Sequence, residues 1–411
     1  MVNGHPDFTA RLRALAQVLI RVGVNLRAGQ RLLVAEPHEL QGVDREAALL
    51  VEAATQAARE AGARDVRVAW GDPVRLRRII RDSDWKTLRR EVAANTAVLR
   101  EYVDAGDALL FLQSSHLDLL QGVPASSANE FRHVVWENFG PVAQRLTTGA
   151  TNWCVSAVPV PAWADHAYRD VPAANRLGAL WSDVFAGMRV NENDPVAAWR
   201  AHLDGLQRRA DALNRRGQTV RRLVGGGTEL TVGFPPEHRW CTACLATTSG
   251  HPFVANLPTE EIFTAPHRDS ARGVVSVSRP INYAGTVIEG IELEFRGGRV
   301  VGASARTGGD HLLRLLETDE GAARLGEVAL VPAESALARS QRLFFNPLLD
   351  ENATSHVALG EGYAFCLRSP NPAALNRSLI HVDLPVAIDP ELDETAPSSL
   401  PDPVEQPTPR R

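Results

Sequence analysis

Residues 31–70 read RLLVAEPHELQGVDREAALLVEAATQAAREAGARDVRVAW, and they set the fold of the first half of the chain. Arg31-Leu-Leu-Val-Ala35 is a short apolar run of strand type. Residues 45–60 are rich in Ala, Leu and Glu and predict a helix that ends near Gly62. Asp65-Val-Arg-Val-Ala-Trp70 predicts the next strand. Strand, helix and strand within about forty residues make a βαβ unit. Working outward, Phe8, Leu12, Leu15, Leu19 and Ile20 recur at helical spacing upstream. A helical stretch near 85–103, a strand at Ala108–Gln113 and another over 154–160 follow downstream. The series predicts an α/β N-terminal domain with a mostly parallel sheet over residues 1–193. An Arg-rich helix, Ala197 to Arg216, is expected to connect it, across 194–217, to a second domain.

From Leu223 the texture changes to strands punctuated by glycine. Candidate strands are 230–234, 273–278, 285–288, 291–295 and 300–304, with Arg296-Gly-Gly-Arg299 as a hairpin turn. One helix is expected at about 310–325. This predicts a β-rich α+β domain over 218–394. Residues 395–411 hold five prolines and little apolar content, and predict a disordered tail.

The chain has 411 residues, 44% hydrophobic and 23% charged, which excludes wholesale disorder. Its net charge of −5, from 44 basic and 49 acidic residues, argues against a nucleic-acid partner. Lys86 is the only lysine, a skew of composition rather than of function. No stretch approaches the ~20 apolar residues that span a bilayer, so no membrane partner is expected. The N-terminus has no apolar segment behind a basic start. Cys154, Cys241, Cys244 and Cys366 do not make a disulfide framework in a chain of this length. These features predict a cytoplasmic protein.

Several local signals read as ordinary structure. Gly225-Gly-Gly227 lacks the spacing of a phosphate-binding loop and reads as a turn. Cys241-Thr-Ala-Cys244, with His238 beside it, has half the spacing of a zinc site and no second half, so it reads as structural; its other reading is a redox pair. His133 and Glu137 fall four apart on a helix, as a solvated pair would. The stretch from 255 to 383 is different. Glu327 opens an apolar run, Val328-Ala-Leu-Val331, where a carboxylate is costly unless paired or metal-bound. His381 and Asp383 are two apart, so on a strand both point to one face. Asp350-Glu351 precede His356 in a polar segment closed by Gly360. Such carboxylates and imidazoles fit a two-metal hydrolytic site, and equally fit salt bridges and helix caps.

The motifs in this stretch are Asn256-Leu-Pro-Thr-Glu-Glu-Ile-Phe-Thr-Ala-Pro266, Ser278-Arg-Pro-Ile281 with Tyr283-Ala-Gly285, Leu325-Gly-Glu-Val-Ala-Leu-Val-Pro332 and Asp350-Glu-Asn-Ala-Thr-Ser-His-Val-Ala-Leu-Gly360. With a weaker match at 22–30, they resemble, in order, the aminopeptidase T / aminopeptidase S family of metallopeptidases, over nearly the whole chain to about residue 385. The resemblance implies an N-terminal α/β domain followed by a metal-binding domain, in a homodimer. It implies two divalent ions, zinc or cobalt with manganese or magnesium as alternatives, held by Glu261, Glu327, Glu351, His356, His381 and Asp383. Glu327 would bridge them, and Tyr363 would be the active-site tyrosine. Glu260 stands where the family varies. After Asp383 the chain runs Leu384-Pro-Val-Ala-Ile-Asp389, a departure from the family's apolar continuation.

The implied activity is metal-dependent hydrolysis of the first bond of a peptide with a free N-terminus, through an activated water, with Tyr363 donating to the developing oxyanion. His356, His381 and Asp383 alone would also make the two-histidine, one-carboxylate set of a mononuclear Fe(II) ring-cleaving dioxygenase. The retained Glu261, Glu327 and Glu351 favour the hydrolase. A specialised small amide is an alternative substrate, and a non-catalytic scaffold the remaining reading.

Overall fold

The structure is a computed structural model and describes residues 6–36, 42–283, 286–369, 371 and 373–389. It divides into two compact units. The first comprises 1–205, 243–259 and 335–352; the second comprises 206–242, 260–334 and 353–411.

The first unit is built on a parallel sheet. Its strands run in the order Asp65–Val68, Arg31–Ala35, Ala108–Gln113, Trp153–Ala157 and Asn256–Leu257. The strand Ala108–Gln113 is almost wholly buried, as a central parallel strand covered by helices must be. Helices Trp85–Ala105 and Ala125–Thr147 pack on one another, and Leu99, Tyr102, Phe111, Phe131 and Val134 share one apolar core. Asp84 starts the first of these helices by accepting from the Thr87 amide at 3.1 Å.

Two later segments, 243–259 and 335–352, belong to the first unit. Asn256–Leu257 adds a fifth parallel strand by pairing with Val155 and Ser156. Segment 335–352 is tied to the same unit by polar anchors: the Trp163 indole donates to the Phe344 carbonyl at 2.6 Å, and Arg342 forks onto Asp170 at 2.9 and 3.0 Å while lying over the Tyr168 ring. Local patterning shows neither, because both depend on partners far along the chain.

The second unit carries two antiparallel sheets. One runs Arg299–Ser304, Glu292–Arg296, Arg272–Ser276, Thr228–Gly233, Val220–Gly225. The other runs Ile262–Thr264, Leu325–Leu330, His356–Gly360, His381–Pro385. Leu230, Val275, Leu293 and Phe295 of the first sheet and Ile262, Val328, Leu330, Val357, Leu359 and Leu384 of the second form one apolar cluster. Slipping the strand Leu325–Leu330 by one residue would take Val328 and Leu330 out of that cluster, at about 1.5–3 kcal/mol each, so its register is held.

Gly225-Gly-Gly227 turns the hairpin that pairs Gly225 with Thr228. The helix expected at 310–325 is shorter, Gly309–Leu316. The Asp319 carboxylate takes the amides of Gly321 and Ala322 at 2.9 Å, a local turn that competes with further helix. Among the described residues no helix is long and apolar enough to cross a membrane. The tail 395–411 lies outside the described residues.

Candidate metal centre

The four-stranded sheet of the second unit has one face in the core and one face left over, and the candidate donors sit on the second. In register, Glu327 lies opposite Ala358, and Ala358 opposite Asp383. Paired residues of an antiparallel sheet share a face, as do residues two apart on a strand. His356 and His381 therefore join Glu327 and Asp383. Phe263 pairs with Ala329 and so faces the same way, and Glu261, two residues before it, follows. All five side chains converge over Ala358 and Ala329, whose small size leaves room above the sheet.

A bulge makes this possible. Leu325 pairs with Leu359, but Glu327 pairs with Ala358, so one extra residue, Gly326, enters the edge of the ladder. Leu325 remains in the apolar core while Glu327 turns to the opposite face, although the two are only two residues apart. A bulge re-aims a side chain in this way. Position 326 has no room for a side chain: a Cβ there would stand 2.2 Å from the Glu361 carbonyl oxygen and 2.5 Å from that of Gly360.

His356 Nε2 is 3.4 Å from Glu261 Oε2, 3.5 Å from Glu327 Oε1 and 4.0 Å from Asp383 Oδ1. His381 Nε2 is 3.6 Å from Glu327 Oε2 and 3.4 Å from Asp383 Oδ1. The two oxygens of Glu327 thus address different imidazoles. Donor atoms of Glu261, Glu327 and His356 all lie within 4.8 Å of one another. These three residues are at most 6% exposed. Each imidazole is oriented from behind. Nδ1 of His356 donates to the Thr354 carbonyl at 3.2 Å, and Nδ1 of His381 to that of Glu361 at 2.9 Å. That arrangement leaves both Nε2 atoms aimed at the carboxylates, as in metal-ligating histidines.

The electrostatics reflect crowding of acids in a dry place. Burial raises Glu261 to about 8, with Glu327 and Asp383 adding to the rise and the imidazoles opposing it. Burial opposes the charged form of both histidines, yet the carboxylates prevail. His356 is held well above its ordinary value, chiefly by Glu327, and His381 at about 9 by its bond to Asp383. Asp383 is pulled below its ordinary value, its burial outweighed by His381 and His356. Glu261 Oε2 is buried with no hydrogen-bond partner. A buried acceptor left in this state is what a cation would satisfy. Two imidazoles and three carboxylates are the donor types of a borderline divalent ion, so the residues fit the implied group.

Tyr363 precedes the short turn Ala364–Cys366, and its ring lies 4.9 Å from that of His381 at 34°. Glu351 ends the helix Pro347–Glu351 in the first unit, where its Oε1 accepts from the Asn352 side-chain Nδ2 at 3.3 Å. His238, beside the Cys-x-x-Cys, bonds the Pro235 carbonyl and stacks on Phe234. Glu137 pairs with Arg89 at 3.3 Å.

The sequence alone did not single out Gly326 or the Thr354 and Glu361 carbonyls. The only available signal was a glycine directly before a carboxylate in an otherwise apolar strand.

The family model for thermophilic metalloproteases, M29, matches residues 8–393. The chain belongs to that family. It is 36% identical over 382 residues to aminopeptidase T of Thermus aquaticus, and 34% identical over 385 residues to aminopeptidase AmpS of Bacillus subtilis strain 168, covering 92% of each chain in both comparisons. The solved structure of wild-type AmpT from Thermus thermophilus superposes with a TM-score of 0.85 at 34% identity, over 92% of this chain and 93% of that one. The M29 chain is accordingly a peptidase of the metal-using class, with the expected parallel α/β region and antiparallel β-rich sheets.

Proposed function

We propose that the chain is a metal-dependent aminopeptidase that removes the N-terminal residue of peptides, using two divalent cations. One observation carries the reading: five donors share one sheet face, with the two oxygens of Glu327 turned to different histidines. Glu261, Glu327 and His356 would hold one cation; Glu327, His381 and Asp383 would hold the other. Glu351 is the sixth donor by family resemblance. The zinc or cobalt identity, the cytoplasmic setting and the homodimer rest on the same resemblance.

A bound divalent cation supplies Lewis acidity at a peptide carbonyl and lowers the pKa of water toward neutrality. The protein's own part is positional. The Thr354 and Glu361 carbonyls fix the tautomers of His356 and His381. The buried carboxylates of Glu261 and Glu327 would offset the charge of a bound cation. Tyr363, held against His381, donates its hydroxyl proton in a hydrogen bond to the oxygen that gains charge as the carbonyl is attacked.

The retained Glu261 and Glu327 support the hydrolase over a mononuclear iron site, which needs only His356, His381 and Asp383. The deciding test is a panel of aminoacyl-p-nitroanilides with N-acetylated controls. Release that a chelator abolishes and N-acetylation blocks is expected. No release with any residue, or oxygen consumption with iron, would overturn the reading.

A further inference from the structure

Two thiols lie beside the donor face: Cys241 forms an antiparallel bridge with Phe263, and Cys241 and Cys366 share one cluster with Phe263 and Ala329. The segment 238–241 runs beside 365–368: His238 and Leu367 form an antiparallel bridge, and the Arg239 amide donates to the Cys366 carbonyl at 2.8 Å. Cys241 Sγ reaches the Phe365 carbonyl at 3.8 Å, and Cys241 packs against the cluster that holds Cys366. Cys241 is partly open to solvent, whereas Cys366 is buried. Cys366 and the nearby Arg239 charge pull the Cys241 thiol below its ordinary value, while burial pushes Cys366 up. An accessible, acidic thiol beside a buried partner is the arrangement of an attacking and a resolving cysteine. Cys244, the other cysteine of the Cys-x-x-Cys, belongs to the first unit.

We propose that Cys241 and Cys366 form a reversible disulfide that turns the site off under peroxide. The Cys241 thiolate attacks one oxygen of hydrogen peroxide; the O–O bond breaks, and the departing hydroxide takes a proton and leaves as water. The Cys366 sulfur then attacks the sulfenic acid on Cys241; the S–S bond forms, the S–O bond breaks and a second water leaves. Two thiols lose two electrons, and one peroxide becomes two waters. A thiol reductant reverses the step by exchange.

The link acts on the site because of where Cys366 sits. It ends the turn Ala364–Cys366, which Tyr363 opens. Tyr363 stacks on Phe365 at 5.3 Å and 12°, and on His381 at 4.9 Å. Phe365 meets Phe263 edge-on at 6.0 Å, two residues from Glu261. Closing the S–S bond would pull this turn toward 239–241 and carry the Tyr363 ring off its position. The bond itself stands apart from the aminopeptidase reading; the loss of turnover rests on that reading.

The test exposes the full chain to hydrogen peroxide, then divides each sample between non-reducing peptide mapping, hydrogen exchange over 361–367 and p-nitroanilide turnover. The expected result is a 241–366 cross-linked peptide lighter by about two mass units, altered exchange in the turn, and turnover reduced roughly tenfold or more, since displacement of about 1 Å at a reacting centre costs up to that and beyond. Dithiothreitol restores all three. Cys241→Ser, and independently Cys366→Ala, form no link and keep their turnover at the same dose. A missing 241–366 peptide, a 241–244 link in its place, or a link that leaves both exchange and turnover unchanged would overturn the proposal. Should the reduced chain release no amino acid at all, the aminopeptidase reading fails, and the linked peptide with the exchange of 361–367 still decides the switch.

Discussion

Glu261 stands where its surroundings resist a charge, and this gives the cation-free protein a pH dependence with a definite sign. Its ordinary value of 4.5 rises to about 8 in the folded chain. The folded state therefore keeps a proton that the unfolded chain has lost, and the stability this confers is complete below 4.5 and gone once the pH passes about 8. His381 acts in the same direction, from 6.5 to about 9, and His356 likewise above 6.5. Asp383 is lowered, so its contribution is present above 3.8 and lost only in stronger acid. The cation-free chain should accordingly lose stability as pH rises from about 5 to 9, while divalent-cation affinity rises over the same window because the bound protons must leave. Calorimetric titration in two buffers of different ionisation heat measures that release; a heat independent of buffer would contradict it. Asp383→Asn keeps the shape of the side chain and removes its charge. It should reduce turnover by more than the roughly 10–100-fold typical of residues that merely support a ligand, and lower the metal bound per chain. Full turnover with unchanged metal would refute its place in the site.

At the scale of the element, the bulge at Gly326 decides which way Glu327 points. Gly326→Ala drives a Cβ into two backbone carbonyls, neither of which can swing aside like a side chain. It should cost on the order of 1–3 kcal/mol and lose metal in proportion to the turning of Glu327. Thermal unfolding and metal content together measure this, and an unperturbed melting temperature with full metal would contradict it. Ala358 lies between Glu327 and Asp383 in the ladder. Ala358→Leu should leave far-ultraviolet circular dichroism native and abolish metal uptake, since the added carbons occupy the space above the sheet; uptake equal to the parent chain would show that the cation lies elsewhere. These features mark where the sequence stops being legible. His381 and Asp383 could be placed on one face from their spacing alone, because the strand period is two. Glu327 could be flagged as a carboxylate in an apolar strand. Its direction could not be read, because a bulge changes the parity of every residue on one side of it, and the bulge lies against the Gly360 and Glu361 carbonyls, more than thirty residues away.

For the whole molecule, the parallel sheet was readable from Arg31–Ala35, Asp65–Val68 and Ala108–Gln113, since each of these strands follows the last through a local helix. Its fifth strand, Asn256–Leu257, was not, because it arrives about a hundred residues after its partner Trp153–Ala157 and is too short to show a period. The donor sheet is assembled the same way, from four strands spread between Ile262 and Pro385. The family resemblance supplied the candidate ligands and their order, and the long-range pairing brings Glu261, Glu327, His356, His381 and Asp383 to one sheet face. If Glu327 is shared between two cation sites, the direct consequence is stoichiometric. The measurement is metal content per chain by mass spectrometry of the elements, after the purified protein is stripped with chelator, reconstituted with zinc or cobalt and freed of excess ion. About two divalent ions per parent chain, falling to one or none in Glu327→Gln, is the predicted result. A single ion per chain that Glu327→Gln leaves in place would contradict it.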